Sequence, residues 1–188
     1  MAAIATTDAC DAYSELLASG DLRPLQPIFQ IYGRARAFAG PIVTVKAVDD
    51  NYEVIQQLAS RGNGRVLVID GSGGMRTALM GSLLAGLAQK NGGSGVVVNG
   101  YIRDVDEING VNIGVRALGS YPVKPSKKGG GEKHVPVYIG GTWIGDGEWL
   151  YADSDGILVS KTELSVSVVV NHAILFNNVN VLSDLRLP

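Results

Sequence analysis

The sequence predicts a single α/β domain built on a sheet with parallel strands. Two buried-type strands, over 65–70 and 95–99, are separated by an amphipathic helix, which is the crossover that a parallel pair needs. The chain has 188 residues, of which 46% are hydrophobic, enough for one well-filled core and short for two domains. We therefore expect a right-handed strand-helix-strand unit whose strands end at the same edge of the sheet.

The first half of the chain is predicted to alternate between helices and strands. Capping residues at its start and Gly20 beyond its end indicate a short amphipathic helix over 7–17. The strand over 38–48 has alternating apolar residues, with Gly40-Pro41 as an expected break. Asp49-Asp50-Asn51 caps the helix that follows. The predicted elements of this half are a helix over 7–17, strands over 29–32 and 38–48, a helix over 52–60 and a strand over 65–70.

The helix that separates the two buried strands is predicted with Ser82 as its N-cap and Asn91-Gly92 as its end. Leu83-Leu84 is expected on its apolar face. The strand over 95–99 consists largely of valines, and Asn99-Gly100 is expected to stop it abruptly.

In the second half, residues 111–121 are predicted as a helix or a pair of strands. The lysine- and glycine-rich stretch over 124–134 cannot carry a core, so we predict a loop that is either a lid or a plain surface loop. Asp153 and Asp155 are expected to form a turn, because no glutamate follows at the spacing of a calcium loop. Further β-type segments are predicted over 135–139, 142–144 and 156–160.

The domain is expected to cover residues 1–165, followed by a C-terminal extension over 166–188. This extension is apolar and rich in asparagine, and it has no formal charge until Asp184. It contains no motif to which we assign a chemical role.

Composition and charge exclude several classes of function. The formal net charge is -2, and glycines dilute the one dense lysine cluster, so direct nucleic-acid binding is not expected. The single cysteine, Cys10, excludes an internal disulfide framework. Because the chain has no apolar run of membrane length and no basic-apolar leader, we expect a cytoplasmic protein without membrane association. The glycines over 71–74 complete neither a dinucleotide fingerprint nor a P-loop.

Arg103 and Asp104 follow the strand over 95–99, at the edge where open α/β sheets keep their sites. The arginine offers a planar fork of donors suited to a carboxylate or an enolate oxygen, and the aspartate offers hard oxygen to a divalent cation. With two histidines and one cysteine in the chain, a zinc site is not expected, so any metal should be Mg²⁺ or Mn²⁺ held by carboxylate and water. An ion pair that caps a turn is the alternative explanation.

The first turn of the helix that begins at Ser82 is the second candidate feature. Its unpaired backbone N–H groups could form an anion cradle over 80–84, where Gly81 allows close approach of a ligand. The alternative is an ordinary capped helix. A right-handed crossover would bring Arg103 back to the same edge of the sheet, so the two anion-binding features are expected to converge.

Taken together, several blocks of the chain resemble the regulator of ribonuclease activity A family, which includes the class II 4-hydroxy-4-methyl-2-oxoglutarate aldolases. The resemblance covers about Thr6 to Leu164. It implies a swivelling β/β/α fold of the phosphohistidine-domain type, assembled as a ring-shaped homotrimer with sites between neighbouring subunits. The blocks that carry it are 81–85, 95–104, 135–137 with Gly140-Gly141, and 151–159.

The aldolase members of that family carry an acidic residue, twenty intervening positions, Arg-Asp, two positions and then Glu or Asp. Arg103, Asp104 and Glu107 match this pattern, and Ser82 departs from it, because it stands where the acidic residue helps to orient metal-bound water. The resemblance implies a Mg²⁺- or Mn²⁺-dependent lyase that cleaves 4-hydroxy-2-oxo acids to pyruvate and decarboxylates oxaloacetate. Asp104 would anchor the metal, Arg103 would stabilise the enolate, and the amides of Leu83 and Leu84 would hold the substrate carboxylate.

The alternative within the same family is a trimer without catalytic activity that binds and inhibits a ribonuclease or helicase partner. Intact Asp104 favours the enzyme, and Ser82 weakens that preference.

Overall fold

Four parallel strands form the centre of the main sheet in the computed structural model. The structure describes residues 4–165 together with Ser167 and Val170. The helices are α1 (Thr6–Ala12), α2 (Ser14–Ser19), α3 (Tyr52–Ala59), α4 (Ser82–Lys90) and α5 (Val105–Gly110). The strands are β1 (Leu22–Pro24), β2 (Gln30–Tyr32), β3 (Phe38–Lys46), β4 (Val66–Asp70), β5 (Ala78–Met80), β6 (Gly95–Ile102), β7 (Gly114–Ser120), β8 (Glu132–Lys133), β9 (Val137–Ile139), β10 (Thr142–Ile144), β11 (Trp149–Ala152) and β12 (Ile157–Ser160).

The main sheet has the strand order β1-β12-β11-β3-β4-β6-β7-β2. Strands β3, β4, β6 and β7 run parallel, whereas the outer strands on both sides pair antiparallel. Two short strands join from the side: β5 pairs parallel with the end of β6, and β8 pairs antiparallel with the end of β3. Strands β9 and β10 form a separate hairpin.

The two faces of the parallel strands carry different cores. On one face, Val45, Ile69 and Val98 pack under α3, α4 and α5. On the other, alternate residues such as Val68 and Val97 pack against the β9-β10 hairpin, β11 and β12. Both faces are therefore covered, which explains why these strands are apolar without alternation. This layering confirms the predicted α/β domain.

Phe38 and Arg116 join the centre of the sheet to its antiparallel side. The Phe38 ring lies so close to Gly95 and Gly114 that a Cβ there would approach it within 2.2 and 2.1 Å. Arg116 is buried, donates hydrogen bonds to the carbonyl oxygens of Arg36 (2.6 Å) and Asp153 (2.8 Å), and lies 5.2 Å from the Phe38 ring centre. Burial lowers the pKa of the Arg116 guanidinium to about 10. This buried arginine therefore has a structural role, because it connects three segments of the chain.

Most predicted elements are present, but several details were wrong. The helix over 7–17 is divided at Tyr13 into α1 and α2. Gly40-Pro41 does not break β3, because Pro41 precedes Ile42, where pairing with β4 begins, and therefore leaves the parallel ladder intact. β6 does not stop at Asn99-Gly100; it continues to Ile102, with an irregularity in its pairing to β7.

The loop predicted over 124–134 is also not entirely a loop, because Glu132 and Lys133 form β8, which pairs with β3. Residues 111–121, predicted as a helix or a pair of strands, contain a single strand, β7, and the helix α5 that precedes it was not predicted. Strands β1, β5 and β11 were not predicted. Asp153 forms the predicted turn: its Oδ1 accepts hydrogen bonds from the backbone N–H groups of Asp155 (2.9 Å) and Gly156 (3.3 Å).

No helix in the described part of the chain is long and apolar enough to cross a membrane. The extension predicted over 166–188 lies outside the described residues, apart from Ser167 and Val170.

Candidate active site

The carboxyl end of β6, the loop after β3 and the start of α4 surround a cleft of about 770 Å³. This is the edge of the sheet where parallel strands end, as expected for a site in an open α/β fold. The six residues predicted for the site all line this cleft: Gly81, Ser82, Leu83, Leu84, Arg103 and Asp104. The structure thus brings them to one place, and their chemical roles stay predictions.

The chain turns sharply after β6, and this turn directs the Asp104 side chain. Asp104 has φ 58° and ψ 47°, the left-handed region, which costs a non-glycine residue about 1–3 kcal/mol. It occupies the N-cap position of α5, but its side chain does not cap that helix. Instead its Oδ2 accepts a hydrogen bond from the backbone N–H of Ser82 at the start of α4 (3.2 Å). The carboxylate of one turn therefore lies at the N-terminus of a different helix.

Gly81 makes room for this carboxylate. A Cβ at position 81 would lie 2.5 Å from Oδ2 of Asp104 and 3.3 Å from Cγ of Arg103. The Gly81 backbone (φ -130°, ψ -174°) is extended and open to any residue, so the glycine is needed for space and not for conformation. The glycine therefore allows the connection between β5 and α4 to lie close to the connection between β6 and α5.

Arg103 lies beside Asp104, with 3.6 Å between its Nε and the Asp104 Oδ2. Each side chain is about one third exposed, at 38% and 35%. Within residues 4–165, no hydrogen bond is made by the Arg103 guanidinium, whose donors face the cleft unpaired. The contact is too long and too exposed to contribute much stability, so the ion-pair explanation does not account for the strained turn.

The first turn of α4 differs from the prediction in two ways. Gly81 occupies the N-cap position, and Ser82 is the first helical residue, with its Oγ 3.4 Å from the Asp104 Oδ2. Leu83 is not on the buried face, because its side chain is 84% exposed at the rim of the cleft; Ala85 packs in the core.

The two amides predicted to hold a carboxylate are not equivalent. The N–H of Leu84 donates to the carbonyl oxygen of Gly81 (3.1 Å). The structure gives the N–H of Leu83 no acceptor within the described residues. Of the two, the Leu83 amide is therefore the one free to bind an anion in the cleft.

A second wall of the cleft was missed by the sequence analysis. It comes from the loop that carries Lys124 and Lys127, which lies next to Asn51 at the start of α3. Asp50 is 7% exposed, and its Oδ2 accepts hydrogen bonds from Ser126 Oγ (2.7 Å) and the backbone N–H of Lys128 (2.6 Å). The hydrogen bond from Ser126 is the largest of the effects that lower the pKa of Asp50. The sequence signal was present, because Asp49-Asp50-Asn51 follows a parallel strand at the site edge.

The family model described as RraA-like, Aldolase/RraA, matches residues 6–159. The chain belongs to this RraA-like family. An Arabidopsis thaliana relative named "Putative 4-hydroxy-4-methyl-2-oxoglutarate aldolase 3" is 66% identical over 166 residues, which are 88% of this chain and 100% of the relative. A Burkholderia multivorans relative with the same name, unnumbered, is 51% identical over 161 residues, 86% of this chain and 98% of the relative.

A solved RraA-like structure, that of the RNA-processing inhibitor RraA from Thermus thermophilis, has a TM-score of 0.81 and 39% identity. The match covers 88% of this chain and 97% of that one. The resemblance found in the sequence blocks is confirmed, and so is the α/β fold that it implied.

The described part of this RraA-like chain contains no group of three or more His, Cys, Asp or Glu side chains that could enclose a metal ion. Asp104 is the one carboxylate among the described residues that line the cleft. Mg²⁺ usually keeps several waters and binds through one or two carboxylates together with substrate oxygens. A single aspartate whose side chain is about one third exposed, beside an open cleft, fits that mode of binding, and it does not fit a closed all-protein metal cage.

Proposed function

We propose that the chain is a divalent-metal-dependent lyase that cleaves 4-hydroxy-2-oxo acids of the 4-hydroxy-4-methyl-2-oxoglutarate type to pyruvate and decarboxylates oxaloacetate. The observation that carries the proposal is the arrangement of Arg103 and Asp104 at the end of β6, opposite the N-terminus of α4, in an open cleft. The names of the relatives at 66% and 51% identity support the same reaction.

The two reactions share an intermediate, the enolate of pyruvate. In the retro-aldol reaction the C4 hydroxyl loses its proton, the C3–C4 bond breaks, and its electron pair moves into the C2–C3 bond and onto the C2 oxygen. In decarboxylation the bond to the departing CO₂ supplies that electron pair. Protonation at C3 then completes pyruvate in both cases. The site must therefore hold one carboxylate and stabilise one developing oxyanion.

Arg103 supplies donors for the oxyanion, because its guanidinium is unpaired among the described residues and lies at the cleft. The Leu83 amide and the positive end of the α4 dipole would bind the substrate's C1 carboxylate. Asp104 would hold Mg²⁺ or Mn²⁺, largely through water, at its hard oxygens. When bound, the ion polarises the 2-oxo group as a Lewis acid.

Ser82 is expected to affect the two reactions differently. Its Oγ lies 3.4 Å from the Asp104 Oδ2, so it can hydrogen-bond a water at this position but cannot accept a proton as a carboxylate does. Retro-aldol cleavage needs a base for the C4 hydroxyl, whereas the bond-breaking step of decarboxylation needs none. We infer that decarboxylation is the better preserved activity.

The test measures pyruvate release from oxaloacetate and from 4-hydroxy-4-methyl-2-oxoglutarate, with Mg²⁺ and with a chelator present. We expect release from both substrates that the chelator abolishes and that added Mg²⁺ or Mn²⁺ restores. A rate that the chelator leaves unchanged would contradict the metal dependence. Release from neither substrate would instead favour the regulator that binds a ribonuclease or helicase.

The proposal includes a ring-shaped homotrimer in which a neighbouring subunit completes each site. In such an assembly Leu83, whose side chain is 84% exposed at the rim of the cleft, would lie at the boundary with the neighbouring subunit. Light scattering should give three times the mass of the 19.7 kDa chain. A cytoplasmic location belongs to the same proposal; its support is the single cysteine, and a fluorescent fusion would test it.

A further inference from the structure

The charges that line the cleft are strongly one-sided. Arg103, Lys90, Lys124 and Lys127 line it, and Asp104 is the single carboxylate facing them within the described lining. The chain as a whole has a formal net charge of -2, so the balance of charge in the described cleft lining is opposite to that of the chain. One anionic group of a substrate is met by Arg103 and the α4 N-terminus, which leaves the lysines available for a second.

Two of these lysines lie on a backbone that other residues hold in place. The Ala78 N–H donates to the carbonyl oxygen of Val123 (2.8 Å), directly before Lys124. Between the two lysines, the Ser126 N–H donates to the Asp49 carbonyl oxygen (2.9 Å), and the Ser126 carbonyl oxygen accepts from the Asn51 N–H (3.1 Å).

The Asp50 carboxylate fixes the same loop from the protein interior through Ser126 Oγ and the Lys128 N–H. The loop backbone is therefore held before the ligand arrives, so binding orders only the lysine side chains and costs less conformational entropy than binding to a mobile loop.

Neither Lys124 nor Lys127 has a carboxylate within 4.0 Å among residues 4–165. Elsewhere among the described residues, by contrast, an arginine or lysine forms an ion pair with a carboxylate in three places. These pairs are Arg23 with Glu148, Arg76 with Asp49 and Lys161 with Asp21. The two loop lysines are thus unneutralised cations on a fixed loop facing a cleft.

We propose that Lys124 and Lys127 form the subsite for the distal carboxylate of the substrate and so select 2-oxo dicarboxylates over 2-oxo monocarboxylates. This inference rests on the proposed lyase function and adds the residues that determine its specificity. The lysines act on the end of the substrate that does not become the enolate, so their loss should raise KM for dicarboxylates and leave kcat largely unchanged.

The kinetic test compares 4-hydroxy-2-oxoglutarate with 4-hydroxy-2-oxopentanoate, which carries a methyl group in place of the distal carboxylate. In Lys124→Ala/Lys127→Ala we expect kcat/KM for the dicarboxylate to fall by about tenfold to a hundredfold, the value of a charge-assisted hydrogen bond, while the monocarboxylate is unaffected. The matched control is Lys128→Ala, which removes an equal charge from the same loop but outside the cleft lining. Equal losses for both substrates, or an equal effect of the control, would overturn the inference.

A binding measurement does not depend on turnover. With Mg²⁺ present, calorimetry should show tighter binding of 2-oxoglutarate than of 2-oxopentanoate to the wild-type protein, and this difference should disappear in the double variant and persist in Lys128→Ala. A preference that survives in the double variant would disprove the subsite. If the preference depends on the lysines but no pyruvate is released from any substrate, the lyase proposal fails and the subsite stands.

Discussion

Gly81→Ala tests whether the position of the Asp104 carboxylate controls activity. The added Cβ would lie 2.5 Å from the Asp104 Oδ2, about 1 Å closer than an ordinary carbon-oxygen contact of about 3.4 Å, so the carboxylate must move by about that amount. A displacement of about 1 Å at a reacting centre can lower the rate by about 10²-fold. The extended backbone of Gly81 suits alanine, so the substitution introduces no backbone strain.

The assay measures metal-dependent pyruvate release and thermal unfolding of the same variant. We expect kcat/KM to fall by about 10²-fold while the loss of the glycine N-cap costs at most about 1 kcal/mol, or about 2–4 °C in Tm. Gly110→Ala is the control, because a Cβ there meets no atom within 4 Å and the position lies outside the cleft lining. Wild-type activity in Gly81→Ala would refute the reasoning, since it would show that the carboxylate need not occupy its observed position.

Three further predictions concern individual contacts of the site. Arg103→Lys keeps the charge but loses the planar fork, and kcat should fall by about 10²–10³ in the pyruvate assay; a near-wild-type rate would make Arg103 peripheral. Ser82→Asp should raise the aldolase rate more than the decarboxylase rate when both are measured at saturating metal, and equal changes would contradict the proton-transfer role. Asp50→Asn should lower Tm by about 2–8 °C at pH 7 through loss of the loop contacts. Because folding lowers the pKa of Asp50, its stabilisation is complete above the ordinary value of 3.8 and is lost as the pH falls through the lowered pKa, so the Tm difference should shrink in acid; a constant difference would contradict this.

The meeting of Arg103, Asp104 and residues 81–84 could be predicted because it depends on topology. Strands β4 and β6 are recognisable from their valines, the helix between them from its stripe, and the handedness of the crossover then brings the ends together. Pairing of the short β5 strand was not needed for that prediction. It does set the distance between Arg103 and the start of α4, because the Arg103 N–H donates to the Met80 carbonyl oxygen (2.9 Å).

The geometry within the site could not be predicted from the same pattern. An aspartate at the start of a helix ordinarily caps that helix, so the sequence offers no sign that Asp104 adopts a left-handed conformation and turns to Ser82. The lysine loop was missed for a related reason: its glycines and charges are typical of a surface loop. Its order comes from Asp50, a contact between residues 76 positions apart.

These two features have one physical consequence in common. Asp104 is held in a strained turn by Ser82 and needs Gly81 for space, while the lysine loop is held over the cleft by Asp50. In the first case the carboxylate that faces the cleft is held by a contact with a different segment of the chain, and in the second the backbone that carries the lysines is held in the same way. Strain of about 1–3 kcal/mol at Asp104 is tolerated because the fold supplies that support. Because the Asp104 carboxylate and the α4 N-terminus are fixed in advance, they need little reorganisation as the enolate charge develops, which is a property that a lyase requires.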